Sequence, residues 1–147
     1  MIVREMVKKD IPDIIELSRQ LAAHVKDPDP KLTAETVEEL AFGPKRWFEA
    51  LVVELDHRIV GFAAYTQSFE LHTNSKILLV TDIAVSEKTR RIGIGQRLLE
   101  FLCRIACERE CNALKFEVWK ENEQARAFYS RHLAQVVDDV DMLRIAV

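Results

Sequence analysis

The sequence predicts an α/β fold in which helices flank a mixed, mostly antiparallel sheet. Segments with apolar residues at helical spacing alternate along the chain with short segments rich in β-branched residues, and no repeat or low-complexity linker separates them. The length of 147 residues suits one sizeable core, so we expect a single domain over residues 1–147. The order of these segments predicts about six to seven strands and about four helices.

Charge and hydropathy argue against several classes of protein. Lysine and arginine number 21 against 24 aspartates and glutamates, which gives a formal net charge of −3. Affinity for a phosphate backbone normally comes with a basic domain, so we expect no nucleic-acid partner. No apolar run is long enough to cross a bilayer, and the first residues, MIVREMVKKD, lack the apolar stretch of a signal peptide. We therefore expect a cytoplasmic protein with no membrane partner.

The first third of the chain predicts a short strand and two helices. Residues 2–7 have the pattern of a strand, and Asp10 is expected to cap the first helix, with Pro12 tolerated in its first turn. Thr33 is expected to cap the second helix, which ends before Gly43 because a Gly-Pro pair cannot continue it.

The rest of the chain alternates strands and helices. Strands are predicted over residues 50–55, 59–68, 76–85 and 113–119, helices over about 93–109 and 122–132, and two short strands after Ala134. The first two of these strands are close enough in sequence to form an antiparallel hairpin. Residues 76–85, KILLVTDIAV, are the most apolar and are expected to form a central strand.

Three cysteines, Cys103, Cys107 and Cys111, recur every four residues in the long predicted helix. Their spacing invites comparison with a metal site, but no histidine lies beside them. Free cysteine is readily accommodated as a small apolar residue, so we interpret all three as part of the core and expect no metal.

The segment RRIGIGQ, which follows the central strand and opens a helix, has the features of an anion site. The first turn of a helix exposes unpaired N–H groups and partial positive charge, and Gly93 and Gly95 remove side chains that would keep an anion away. Four cations lie within ten residues that contain no acid: Lys88, Arg90, Arg91 and Arg97. Leu98 stands where a Rossmann motif needs its third glycine. A tight turn with solvated arginines explains the segment equally well.

Two motifs, separated by the spacing that one protein family shows, indicate a more specific function. The segment RRIGIG that begins at Arg90, placed after VTDIAV, resembles the acetyl-CoA-binding motif of the GNAT superfamily of N-acetyltransferases. Residues 122–129, NEQARAFY, are similar to the segment between that family's fifth strand and last helix. The element order agrees along essentially the whole chain. Within the superfamily, the sequence most resembles the spermidine/spermine (diamine) and thialysine acetyltransferase branch.

The resemblance implies acetyl-CoA as co-substrate and assigns its contacts. The implied cofactor-binding residues are Ile83, Ala84, Val85, Arg90, Arg91, Ile92, Gly93, Ile94, Gly95, Gln96 and Asn122. Backbone amides from Arg91 through Gln96 would bind the pyrophosphate. The end of the central strand would pair with the pantetheine arm, which requires it to part from residues 113–119. A strand amide there would then stabilise the tetrahedral oxyanion.

The resemblance also implies a general acid. Tyr129 matches a tyrosine that the family often uses to protonate the leaving thiolate. A phenol with a reference pKa near 10 stays protonated at neutral pH and can donate. The alternative is that Phe128 and Tyr129 are an aromatic pair that packs a short helix.

The acceptor side matches less well. Thr81 stands where the polyamine branch has a glutamate, and Asp82 would point to the opposite face of a regular strand, so only a bulge would let it substitute. Glu70, His72 and Glu117 are other candidate bases, and a water chain is a further alternative. We take Thr81, Asp82 and Glu117 as the predicted substrate-binding residues.

Three more features depart from the family pattern. Arg91 replaces a usual glycine in the loop, and Leu133 stands where a glycine commonly follows the last helix. The tail after Val140 is short, so the last strand is either cut down or completed by a partner subunit. The resemblance implies a homodimer.

The leading hypothesis is therefore acetyl transfer from acetyl-CoA to a primary amine of a small molecule, such as a polyamine or an amino acid, by direct attack. The alternatives are a non-catalytic acyl-CoA-binding module, an acetyltransferase acting on a protein or antibiotic amine, and a small interaction domain without a nucleotide. Acids that could attract a cationic amine are Glu35, Glu38, Glu39 and Glu70, although solvated surface positions explain them as well.

Overall fold

In a computed structural model that describes residues 1–147, the chain divides into two units, Met1–Glu117 and Val118–Val147. The first unit contains β1 (Ile2–Glu5), α1 (Ile11–His24), α2 (Ala34–Phe42), β2 (Glu49–Leu55), β3 (Arg58–Glu70), β4 (Ser75–Val85), α3 (Ile94–Glu108) and β5 (Ala113–Phe116). The second contains α4 (Glu123–Arg131). Single 3₁₀ turns precede α1 and lie between β4 and α3. None of the helices combines the length and apolarity that a membrane span requires.

The strands follow one another in the order β1-β2-β3-β4-β5. The first three pairings are antiparallel, and β5 pairs parallel to β4 because α3 carries the chain back across the sheet. The predicted mixed, mostly antiparallel sheet with four helices is confirmed.

Both faces of the sheet are covered. In β2, Val52 faces the cluster formed with α1 and α2, whereas Leu51 and Val53 face the cluster formed with α3. This alternation is the period of two that a strand imposes on its side chains, so one strand supplies two cores. The two layers fix α1 and α2 on one side of β4 and α3 on the other.

The sheet has five strands rather than six to seven. Residues 135–147 form no strand, and β5 ends at Phe116 instead of extending to residue 119. A strand is defined by its ladder partner, and the alternating apolar pattern of the tail does not supply one.

Capping differs at the two N-terminal helices. Thr33 accepts a hydrogen bond from the Thr36 amide at 3.2 Å, which confirms it as the cap of α2. Asp10 occupies the predicted N-cap position of α1, but its side chain makes no capping hydrogen bond there. Its carboxylate instead accepts from the Val7 amide at 2.8 Å and from both terminal nitrogens of Arg4 at 2.6 and 2.9 Å.

The Arg4–Asp10 pair ties β1 to the start of α1. Asp10 is the one polar residue in the buried core, at 2 % exposure, and Arg4 also pairs with Glu54 on β2 at 2.9 Å. Burial alone would raise the pKa of Asp10, but hydrogen bonds from Arg4 and Val7 outweigh it and hold that pKa below its ordinary value.

The cysteines are not core residues as a group. Cys103 and Cys107 are exposed on the outer surface of α3, and only Cys111 is half-buried against the cluster beneath that helix. The core interpretation is therefore wrong for the first two, because the amphipathic face of α3 is set by Leu98, Leu102 and Ala106.

We expect Asp10→Asn to lower the free energy of unfolding at neutral pH by about 1–3 kcal/mol, because the half-buried Arg4 guanidinium then loses one of its two carboxylate partners and keeps only Glu54. The folded pKa of Asp10 lies below the unfolded value. The stability that Asp10 contributes is therefore present above the unfolded pKa and is lost as pH falls through the folded pKa. Urea denaturation across this pH range tests both expectations, and the variant should show the weaker pH dependence.

Glu16→Gln on the exposed side of α1 is the matched control and should change stability by less than about 0.5 kcal/mol. Equal losses in the two variants would contradict a special role for Asp10.

Candidate active site

The strands β4 and β5 part at a defined point. Their parallel pairing ends with Val80 opposite Phe116, and the next amide, that of Glu117, still donates to the Val80 carbonyl at 3.4 Å. Beyond it β4 continues to Val85 with β3 as its only strand neighbour. The ladder groups of residues 81–85 that face away from β3 therefore have no strand partner, which meets the condition set for an extended ligand to pair there.

A β-bulge lies in β4 at the same point. Tyr65 of β3 pairs with Val80, but its neighbour Ala64 pairs with Asp82, so Thr81 is the extra residue. The bulge reverses the faces of the strand. Val80 packs on the α3 side and Ala84 on the α1 and α2 side, although four residues of regular strand would keep them on one face.

Because of the bulge, Asp82 need not point to the face opposite Thr81. Thr81 and Asp82 are both exposed, and they lie where the alternation of β4 is interrupted. A regular strand would have forced the two side chains to opposite faces, and the bulge relaxes that constraint.

The helix α3 begins with its amides uncapped. Gly93 occupies the N-cap position with a left-handed backbone, at φ 87°, and no side chain caps the helix. The first helical hydrogen bond runs from the Arg97 amide to the Gly93 carbonyl at 3.0 Å. The amides of Ile94, Gly95 and Gln96 precede this bond, so they and the helix dipole are available to an anion.

The cations around this loop divide into two pairs. Arg90 lies 3.6 Å from Glu87, and Arg97 lies 3.4 Å from Glu100. These two acids stand just outside the ten-residue segment that has none, so part of its positive charge is already offset. Lys88 and Arg91 are exposed and form no ion pair.

Gly61 is a positioning residue that the sequence analysis missed. A Cβ at this position of β3 would lie 3.0 Å from the Ala84 carbonyl oxygen and 3.0 Å from the Ile94 Cγ2. The glycine therefore lets the start of α3 pack closely on the sheet, beside the end of β4. A glycine within an apolar strand was the available signal.

The structure brings the three predicted substrate-binding residues together. Glu117 follows Phe116 at the end of the β4–β5 pairing, opposite the bulge that contains Thr81 and Asp82. Glu117 is exposed, as are the two β4 residues. Two carboxylates and a hydroxyl thus lie at the parting of the strands.

Glu70 and His72 lie elsewhere. Glu70 pairs with Ser75 at the far end of the β3–β4 hairpin, and His72 is in its turn. Six residues of strand separate Ser75 from Thr81, which corresponds to about 20 Å. A hydrogen bond from Lys115 also holds the pKa of Glu70 below its ordinary value, which makes it a weaker base. The Glu70 carboxylate is therefore engaged with Lys115, two residues before Glu117, and His72 lies in the turn.

The acids of α2 are exposed. Glu35, Glu38 and Glu39 lie on its surface, and Glu38 pairs with Lys8 at 2.6 Å. Their environment is that of an ordinary solvated helix face.

The two predicted residues of the second unit have local roles there. Asn122 caps α4 by accepting a hydrogen bond from the Ala125 amide at 3.1 Å, which leaves its amide nitrogen as the donor. The Tyr129 ring meets that of Phe128 edge-on, with 5.2 Å between centroids. The carbonyl of Tyr129 accepts from the amides of His132 and Ala134.

Arg91 has a glycine-like backbone. Its φ is 67°, in the left-handed region, and Leu133 has a φ of 63°. These are the two positions where the family pattern has glycine, so the backbone keeps its shape while the side chain has changed. Such a conformation costs an L-residue about 1–2 kcal/mol relative to a right-handed one.

We therefore expect Arg91→Gly to be more stable than Arg91→Ala by about 1 kcal/mol, because both remove the cation and only glycine relieves the strain. Chemical denaturation measures the difference. Glu100→Gly and Glu100→Ala in the middle of α3 form the matched pair, where alanine should be the more stable by about 1 kcal/mol. If alanine were the more stable substitution at position 91 as well, Arg91 would not be strained.

Comparison with known proteins agrees with this arrangement. Residues 14–134 match the Acetyltransferase (GNAT) family. The chain is 26 % identical to thialysine N-epsilon-acetyltransferase of Bos taurus over 148 residues, 95 % of this chain and 86 % of that protein.

Two solved structures share the fold. The tetramutant of the BH1408 protein from Bacillus halodurans aligns with a TM-score of 0.81 and 25 % identity, over 99 % of this chain and all of that one. The ribosomal-protein-alanine N-acetyltransferase from Brucella melitensis biovar Abortus 2308 aligns with a TM-score of 0.80 and 24 % identity, over 99 % of each chain. The chain belongs to the GNAT family and is an acetyl-CoA-dependent N-acetyltransferase.

Proposed function

We propose that the enzyme transfers an acetyl group from acetyl-CoA to a primary amine of a small molecule, by direct attack of the amine on the thioester. The observation that carries this proposal is the parting of β4 from β5 beside the uncapped start of α3. This arrangement places unpaired strand groups next to unpaired helix amides within one unit. Family membership supplies the reaction class, and GNAT enzymes use acetyl-CoA as co-substrate.

The cofactor half of the proposal uses the backbone. The pyrophosphate binds the amides of the loop and the first turn of α3, residues 91–96, with Arg90 and Arg91 supplying charge. The pantetheine arm pairs with the unpaired edge of Ile83, Ala84 and Val85, as an added strand would. An amide of that edge polarises the thioester carbonyl and stabilises the oxyanion as the amine attacks.

The acceptor half uses the three side chains at the parting of the strands. A cationic amine is attracted by the carboxylates of Asp82 and Glu117, and Thr81 provides a hydroxyl for orientation. The amine must lose its proton before it attacks, and Glu117 is the proposed base, directly or through one water. The bovine relative is named for acetylating the ε-amine of thialysine, which supports a small acceptor of this kind.

Tyr129 is the proposed general acid, and Asn122 the proposed contact to the cofactor arm through its amide nitrogen. As the carbon–sulfur bond breaks, the phenol donates its proton to the developing thiolate. Protein and antibiotic amines remain alternative acceptors. A cytoplasmic homodimer of single domains over residues 1–147 is the proposed state.

Two measurements test this function. Thermal denaturation with and without CoA tests cofactor binding, since a ligand at 100 times its dissociation constant adds about 2.7 kcal/mol of stability. Release of free thiol from acetyl-CoA with a panel of polyamines, lysine analogues, aminoglycosides and short peptides tests the acceptor class. Turnover only with peptides or aminoglycosides would favour the alternative acceptors, and CoA binding without turnover of any polyamine or lysine analogue would overturn the proposed acceptor class.

We expect Tyr129→Phe to lower kcat by about 100-fold, because the thiolate then leaves without a proton donor. The affinity for CoA should be unchanged, since phenylalanine keeps the edge contact with Phe128. Steady-state kinetics and calorimetric titration with CoA measure the two quantities. An unchanged kcat would assign Tyr129 to packing.

Glu117→Gln is expected to lower kcat/KM for the amine at least about tenfold while CoA affinity is retained, because the neutral amide neither attracts the ammonium nor accepts its proton. Glu70→Gln is the matched control, since it removes a carboxylate that is already paired with Lys115 at the turn end of the hairpin. If the two substitutions had equal effects, Glu117 would contribute only through the general surface charge and not as a base.

A further inference from the structure

The cleft that opens where β4 parts from β5 is closed at one end. Val80 pairs with Phe116, and the Glu117 amide donates to the Val80 carbonyl at 3.4 Å, so the two strands are held together there. From Thr81 onward, β4 has β3 as its only strand neighbour. The unpaired edge of β4 therefore forms one wall of a cleft that ends at Val80.

The bulge places two apolar side chains beside this closed end. Ile83 pairs with Ala63 and Val80 pairs with Tyr65, and all four pack against the cluster formed with α3. Residues three apart in a regular strand lie on opposite faces, so the extra residue Thr81 is what puts Val80 and Ile83 on the same face. Ile83 is half-buried and Val80 is buried. The closed end of the cleft thus has an apolar lining on the α3 side.

The opposite face of the same segment is acidic. Asp82 pairs with Ala64, which packs against the cluster formed with α1 and α2, so the Asp82 side chain lies on that side of the sheet. On β5, Phe116 packs toward α3, whereas the next residue, Glu117, is exposed. An acyl group suits the apolar side of the cleft, and a cationic amine suits the acidic side.

We propose that Ile83 and Val80 determine the length of the acyl group that the enzyme transfers, and that they restrict it to acetyl. This inference rests on the proposed function, in which the phosphates bind at residues 91–96 and the pantetheine arm pairs with residues 83–85. The thioester end of the arm then points toward Val80. The acyl group lies against the two apolar side chains, at the closed end of the cleft.

The space beyond Ile83 suits an acetyl group. The β3 partners of Ile83 and Val80 are two residues apart, which corresponds to roughly 7 Å along the sheet. The two bonds from the thioester sulfur to the methyl carbon span about 3 Å, and that carbon needs about 3.5–4.0 Å to its next neighbour. Each further methylene lengthens the chain by more than about 1 Å and must displace Val80 or open the β4–β5 ladder. Val80 has little freedom to move, because Leu98 and Leu102 of its cluster are fully buried.

The test compares the affinities for CoA, acetyl-CoA and butyryl-CoA, measured by calorimetric titration without an amine. The wild type should bind butyryl-CoA at least about tenfold more weakly than acetyl-CoA, since a surplus methylene in a filled apolar pocket costs about tenfold or more. Ile83→Ala should reduce this ratio at least about tenfold and Ile83→Val should reduce it less, because the larger truncation leaves the larger space. CoA without an acyl group should bind all three proteins equally.

Ile105→Ala is the matched control. Ile105 is also half-buried against the same cluster, but it lies about 16 Å further along α3 than Ile94. This variant should keep the wild-type preference for acetyl-CoA. Val80→Ala, with its fold checked by thermal denaturation, should act in the same direction as Ile83→Ala. Thiol release in the presence of an accepted amine should rank the acyl-CoA substrates in the same order as the affinities.

Equal affinities of the wild type for acetyl-CoA and butyryl-CoA would overturn the proposal. So would an unchanged ratio in an Ile83→Ala protein that folds and binds CoA normally. An equally large change in Ile105→Ala would assign the effect to a looser core and remove the specific role of Ile83. If the wild type binds no form of CoA, the proposed cofactor site fails and this inference fails with it. If CoA binds and only the preference for acetyl is missing, the proposed function stands and this inference alone is wrong.

Discussion

The hydrogen bond from the Glu117 amide to the Val80 carbonyl, at 3.4 Å, marks the point on which the rest of the site depends. Before it, β4 is an interior strand with neighbours on both sides, and after it β4 has β3 as its only strand neighbour. An interior strand that loses a neighbour exposes backbone donors and acceptors next to a well-packed core. Such groups must find a partner in water or in a ligand. In the function proposed above, that ligand is the extended arm of acetyl-CoA.

The bulge at Thr81 lies at this same point of β4. It lets the strand keep Val80 buried on the α3 side while it presents Ala84 to the other cluster. Without the extra residue, Thr81 and Asp82 would be forced to opposite faces, and two side chains suited to an amine could not be used together. Bulges often lie beside active sites for this reason, since they redirect side chains at little cost in pairing.

The loop before α3 shows how the backbone is retained when side chains change. Arg91 has a left-handed φ, as Gly93 does, although only Gly93 is free of the associated steric cost. After the loop, Ile94 at the start of α3 is 2 % exposed and packs close to Gly61 of β3. The arginine adds a cation beside the amides of α3, where two neighbouring arginines are already paired with acids.

The sequence by itself determined the fold class, the order of the elements up to α4 and the glycine-bearing turn that opens α3. These features depend on local periodicity, on glycines and on the spacing of motifs, which all act between residues close in sequence. Gly93 and Gly95 are the clearest example. It determined less about the proposed acceptor side, because Glu117 lies 35 residues after Asp82 and the two segments meet only through the parallel β4–β5 pairing.

Tertiary structure decided the rest. It introduced the bulge, placed Glu70 and His72 at the turn end of the β3–β4 hairpin, and engaged the Asp10 carboxylate in an ion pair instead of a capping hydrogen bond. It also left the tail without the strands that its alternating residues predict. In each case the outcome depends on a partner distant in the sequence, and a pattern of residues cannot show whether that partner is present.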